Sequence, residues 1–177
     1  MKAFLRTFLS RFPLLKQVLK GIRNRLDPGS AVSSNYIALQ ADEANAEGQR
    51  LRDAWHHDAL PARQRELVEH QLRQYRSGKR IDVFDVFVQS VRDIPDLGEG
   101  ASLLEIGCSS GFYSEIVDIA KLPLRYYGCD YAPAFIEMAY KKYPGVEFAV
   151  EDATALRYPT AGFDIVVSGC CLLHIPE

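Results

Sequence analysis

The sequence lacks any run of about 20 apolar residues, the length a helix needs to cross a bilayer, so no spanning helix is expected in its 177 residues. Cysteine is scarce: Cys108, Cys129, Cys170 and Cys171 form no CxxC pair and none of the Cys/His spacings that close around zinc. They are read as reduced, mostly buried thiols acting as small hydrophobes, a usage that suits a cytoplasmic protein. Histidine adds no metal pattern, because His56 and His57 are adjacent and do not share a helix face. Compositional extremes are missing too. With 47 % hydrophobic, 25 % charged and 11 % aromatic residues, the composition excludes a disordered, collagen-like or disulfide-scaffold chain. One domain with attachments is expected at this length.

A large excess of one charge is also absent, since the formal net charge is −2. That balance hides an asymmetry. Lys2, Arg6, Arg11, Lys16, Lys20, Arg23 and Arg25 fall in residues 1–26 with no acid among them, leaving 14 basic against 23 acidic residues in the rest. An acidic body offers no general attraction for DNA or RNA, whose binding rests on many Lys and Arg contacts to phosphate, so no nucleic-acid partner is expected.

In the basic segment Phe4, Leu5, Phe8, Leu9, Phe12, Leu15, Val18, Leu19 and Ile22 recur at helical spacing, interrupted at Pro13. A basic amphipathic helix over 1–26 is expected, with three roles open: packing on its own protein or a partner, peripheral contact with an anionic membrane, or organelle targeting. Residues 27–97 read as a Pro/Gly/Ser linker, LDPGSAVSSN, followed by a helical cap module of two or three helices with breaks at Pro61 and at Ser77-Gly78. The segment from Ile81 begins with alternation but continues Phe84, Phe87, Val88, Val91, which predicts a helix.

From residue 98 to 177 apolar runs alternate with amphipathic helices: ASLLEIG, LRYYGCD, VEFAV and FDIVVSG as strands, FYSEIVDIAK and APAFIEMAYKKY as helices. This is an α/β pattern with a mostly parallel, Rossmann-like sheet. Right-handed crossovers predict the order 3-2-1-4, with a ligand crevice where the order reverses, between the first strand and the fourth. The first strand ends in Glu105-Ile-Gly107-Cys108-Ser109-Ser-Gly111 and a helix follows at once. Glycines at 107 and 111 permit a sharp turn against which a ligand can sit. Nineteen residues past Gly111 the second strand ends in Asp130-Tyr131, where a carboxylate suits ribose hydroxyls. The third ends in Glu151-Asp152-Ala153 on the same rim, where Asp152 suits an adenine amino group. Taken singly, each of these acids reads equally well as a cap of a loop or turn.

Together EIGCSSG, GCDYAP, VEDATAL and FDIVVSGCCLLHIPE resemble, in order and spacing, the successive motifs of class I S-adenosylmethionine-dependent methyltransferases. The resemblance implies S-adenosylmethionine as cofactor. Its methionine part would be held by Glu105 and the loop Gly107, Cys108, Ser109 to Gly111, its ribose by Asp130 with Tyr131, and its adenine by Asp152 and Ala153. Ser168, ending the fourth strand, would lie beside the sulfonium. Ser109 stands where many members carry the middle glycine of the loop. The family sheet has seven strands and this sequence covers four, so a C-terminally truncated product, a fragment, is expected.

His174, just past the fourth strand, is a candidate general base, weighed against a surface or core histidine. Tyr36, Trp55, Tyr75 and Tyr113 are candidates for a pocket wall, although aromatic residues at helical spacing more often build core. The acceptor is expected to be a small molecule or a glycan. Two other functions remain open. A dinucleotide-binding oxidoreductase fits less well, because the glycines are spaced G-x-x-x-G instead of G-x-G-x-x-G. A non-catalytic nucleoside-binding or scaffold module would keep the same fold, a reading that the absent strands favour.

Overall fold

The computed structural model describes residues 41–169 and 171–175. The basic amphipathic segment, Tyr36 and Cys170 lie outside them. Residues Ala41–Glu177 form one compact unit.

Three helices come first: α1 (Ala41–Ala54), α2 (Leu60–Arg76) and α3 (Asp82–Arg92). The helical module breaks between α1 and α2, just before Pro61, which lies in the first turn of α2, where a missing backbone N–H costs nothing. The expected break at Ser77-Gly78 is there, with Gly78 in the left-handed region at φ +81°. Helix α3 buries Phe84, Phe87, Val88 and Val91, one stripe at i, i+3, i+4 and i+7. No helix among the described residues is long and apolar enough to cross a membrane.

The sheet follows as β1 (Ala101–Ile106), α4 (Phe112–Ile119), β2 (Leu124–Asp130), α5 (Pro133–Lys142), β3 (Glu147–Val150) and β4 (Ile165–Val167), closed by a 3-10 turn at Leu172–His174. All pairings are parallel, in the order β3-β2-β1-β4. The predicted topology is therefore the observed one. Strand β1 is central, with Leu103, Leu104 and Glu105 buried, as a strand covered on both faces requires. Only three residues of the apolar run FDIVVSG form β4; Asp164 is held just before it, its Oδ2 accepting from Ser102 N at 2.8 Å and Ser102 Oγ at 2.7 Å.

The core joins helices and sheet: Leu72 of α2, Phe84 and Phe87 of α3, Leu103 of β1, Ile116 of α4, Tyr126 of β2 and Phe148 of β3 belong to one buried cluster. A polar clasp supplements it. Arg65 of α2, almost fully buried, donates to Glu69 Oε2 at 3.0 Å and to the Tyr143 hydroxyl at 2.7 Å, and lies 3.8 Å from Glu115 of α4. Arg76 donates to Glu115 at 2.6 Å and to Glu69 at 3.2 Å. Burial alone would raise the Glu69 carboxyl, but the hydrogen bonds from Arg76 and Arg65 hold it below its ordinary value. This clasp ties α2 to α4 and to the end of α5.

Candidate functional site

Parallel strands point all their C-terminal ends one way, and the loops leaving those ends meet at a cavity of about 440 Å³. Glu105, Gly107 and Ser109 reach it from β1, Asp130 and Tyr131 from β2, Asp152 and Ala153 from β3, and Gly169, Cys171 and His174 from the segment after β4. The predicted site residues thus converge, with three exceptions. Cys108 turns beneath the loop and is fully buried, so close to Gly128 that a Cβ there would lie 2.9 Å from its sulfur. Gly111 sits under the loop, where a Cβ would lie 2.5 Å from the Phe148 ring. Ser168 Oγ is buried and does not line the cavity.

The loop itself is a run of left-handed turns: Gly107 at φ +77°, Ser109 at +51° and Gly111 at +71°. At Gly107 space matters as much as conformation, since a Cβ would lie 2.7 Å from the Cys171 sulfur. Ser109 carries its unusual φ with two tethers. Its N–H donates to Asp130 Oδ2 at 2.8 Å, and its hydroxyl donates to Gln64 Oε1 of α2 at 3.0 Å. Asp130 Oδ1 in turn accepts from Ala132 N at 3.0 Å, so this carboxylate ties the β1 loop to the start of α5. Burial pushes the Asp130 carboxyl up, against the pull of the Ala132, Ser109 and Tyr131 amides.

Glu105 is the most perturbed acid in the cavity. Burial pushes it up to about 8, the Tyr126 hydroxyl that donates to it pulls down, and Asp130 adds repulsion. Near neutral pH it is mostly the neutral acid, poised to ionise beside a cation. Asp152 differs: its Oδ1 accepts from the Thr154 hydroxyl at 2.7 Å and N–H at 2.8 Å, which holds its carboxyl low. That is the turn-capping arrangement, adopted by an acid that also faces the cavity. The Cys129 thiol is pushed up to about 12 by burial, and burial raises Cys171 as well, so neither is a ready thiolate.

Helices supply the opposite wall, and here sequence reasoning found less. Trp55 packs edge-on against His174 with ring centroids 4.9 Å apart, and His56 stacks on Tyr131 at 4.6 Å. Two consecutive residues after α1 thereby touch the β4 and β2 sides of the crevice. Tyr113 lines the cavity while packing on Phe87; Tyr75 packs on Phe84 in the core, away from it. Arg52, Gln64, Leu67, Val68, Gln71 and Val83 line the cavity and were not anticipated. Leu67 gave the one sequence signal, an apolar residue beside, and off, the Arg65/Val68/Leu72 stripe of α2. Among the described residues no group of three or more His, Cys, Asp or Glu is placed to hold a metal ion.

The family model described as a methyltransferase domain matches residues 104–177, from β1 through the loops just described. Residues 104–177 are thus similar to a methyltransferase domain. A curated relative, the phthiotriol/phenolphthiotriol dimycocerosates methyltransferase of Mycobacterium leprae, is 33 % identical over 83 residues, 44 % of this chain and 31 % of the relative. The chain thus spans about a third of the length of the curated relative it matches. Among solved structures, magnesium protoporphyrin IX methyltransferase from Synechocystis with bound S-adenosylmethionine is similar at 17 % identity and a TM-score of 0.47, over 80 % of this chain and 67 % of that one. A TehB-like methyltransferase from Corynebacterium glutamicum is similar at 20 % identity and a TM-score of 0.45, over 64 % of this chain and 58 % of that one.

Proposed function

We propose that the chain acts as an S-adenosylmethionine-dependent methyltransferase on a small-molecule acceptor. The observation that carries this reading is the convergence of the glycine loop, Asp130 and Asp152, from three successive strand ends, on one cavity. The residues present fit the cofactor. Gly107 leaves room where any side chain would strike Cys171, Glu105 offers a carboxyl able to ionise beside an ammonium, and Asp130 and Asp152 offer carboxylates to hydroxyl and amino groups. When bound, the sulfonium supplies an electrophilic methyl whose carbon–sulfur bond breaks with the electron pair staying on sulfur.

The chain's own task is then placement: holding the acceptor about 3 Å from that methyl, in line with the departing sulfur, and keeping water out. Trp55, which lines the cavity and packs on His174, is assigned the second duty. We assign His174, which lines the cavity, the role of taking the acceptor's proton where the acceptor is a hydroxyl. The M. leprae relative, a methyltransferase of phthiotriol and phenolphthiotriol dimycocerosates, supports a small-molecule acceptor here as well.

Isothermal titration with S-adenosylmethionine and S-adenosylhomocysteine tests the reading, with Asp130→Ala as variant and NADH as control ligand. Micromolar binding of both sulfur nucleosides, weakened at least about tenfold in the variant, is expected for the loss of a charge-assisted hydrogen bond. Binding of NADH in preference to either would overturn it.

A further inference from the structure

The cavity is wider than the strand ends that furnish its polar groups, and the remainder of its wall is chemically different. Leu67 and Val68 come from α2, Val83 and Phe84 from α3, and Phe112 and Tyr113 from the first turn of α4. These residues form a continuous apolar lobe: Phe84 stands 6.1 Å from Phe112 and 6.0 Å from Tyr113 between ring centroids, and Phe112 and Tyr113 are 4.9 Å apart. The charged residues of the lining, Arg52, Glu105, Asp130, Glu151 and Asp152, belong to α1 and the strand ends; α2, α3 and α4 contribute none. At the mouth Leu67 is 75 % and Val83 49 % exposed, large apolar side chains turned to water beside a cavity. Covering such surface with an apolar ligand is favourable.

We propose that this lobe is the acceptor subsite and that the acceptor is an apolar small molecule, a ring-bearing or long-chain body carrying its nucleophile at the end nearest the strand tips. The inference rests on the cofactor reading above, which assigns the polar strand ends to the nucleoside and leaves the lobe to the acceptor. A glycan is the poorer occupant. Its hydroxyls need a dense set of polar partners, and an apolar wall whose neighbouring amides are Gln71 and Gln64, the latter already accepting from Ser109, leaves most of them unsatisfied. A hydrocarbon body loses nothing there and covers Leu67 and Val83.

The test uses the full chain saturated with S-adenosylhomocysteine and titrated with three probes: 2-naphthol, 1-octanol and methyl α-glucopyranoside. Both apolar probes should bind at least about tenfold more tightly than the sugar, the ratio expected when one or two such side chains are covered. Leu67→Gln with Val83→Gln, both at exposed positions, should weaken 2-naphthol at least about fivefold while S-adenosylhomocysteine affinity and the thermal midpoint stay unchanged. Sugar binding as tight as that of the apolar probes would overturn the proposal, as would apolar binding indifferent to the two substitutions. Absence of S-adenosylhomocysteine binding would overturn the cofactor reading and this assignment with it, whereas nucleoside binding without any apolar-probe response would overturn this assignment alone.

Discussion

The strand-end wall of the cavity and its helical wall are held in place by different means. At the strand ends, backbone does the positioning: Ser109 N and Ala132 N fix Asp130, Thr154 N fixes one oxygen of Asp152, and left-handed turns at 107, 109 and 111 shape the loop. On the helical side, side chains do it, through the Arg65 and Arg76 clasp and the aromatic contacts of Trp55, His56 and Phe84. A wall fixed by backbone tolerates many sequences while keeping one geometry, which suits a common cofactor. A wall fixed by side chains changes shape with each substitution, which suits a particular acceptor.

The largest expected effect comes from cutting the helical wall loose. Arg65→Met strips Glu69, Glu115 and the Tyr143 hydroxyl of a buried cation, and removal of one partner from such a cluster costs about 3 kcal/mol. Urea unfolding should show that loss, while Arg50→Met in the exposed Arg50–Glu47 pair of α1 should change nothing measurable. Equal, small effects in both variants would mean that the clasp does not hold α2.

A smaller effect belongs to the strand-end wall and depends on pH. Glu105 stands near 8 in the fold against an ordinary value of 4.5, so between those limits the folded chain binds more protons than the unfolded one. Stability contributed by the neutral acid is therefore complete below pH 4.5, falls as pH rises, and is gone above pH 8. Between pH 5.5 and 7 the loss is about 2 kcal/mol at 1.36 kcal/mol per unit. Glu105→Gln should remove this slope in urea titrations repeated across that range; parallel slopes in the two proteins would place the perturbation elsewhere.

What the sequence made legible follows the same division. Strand ends are local: Glu105, Gly107, Asp130 and Asp152 each close an apolar run, so their convergence follows from parallel topology and right-handed crossovers. Cys108 was assigned to the ligand because it stands inside the glycine loop; the turn at Gly107 sends its side chain into the core instead. Leu67, Val83 and Gln71 belong to helices whose register against the sheet is set by long-range packing and by a clasp that joins Arg65 to Tyr143, 78 positions away. No periodicity within one helix announces such a contact. The aromatic pair of Trp55 and His174 is separated by more than a hundred residues and was equally hidden, although each residue had been singled out by itself.

The smallest expected effect lies where the two walls meet, at Ser109. Its φ of +51° is one that a side chain adopts at a cost of roughly 1 kcal/mol and that glycine adopts freely. Its hydroxyl also makes the 3.0 Å bond to Gln64 that joins loop to α2. Ser109→Ala removes that bond and keeps the backbone cost; Ser109→Gly removes both. The glycine variant should therefore be the more stable of the two by about 1 kcal/mol in urea unfolding, and both should lose the same tie to the helical wall. Nucleoside affinity should stay within about twofold of the parent in Ser109→Gly, because the backbone amide that Asp130 accepts from is untouched. An alanine variant as stable as the glycine one would show that the left-handed turn costs the loop nothing, and that the preference for glycine at this position comes from closeness to the ligand instead.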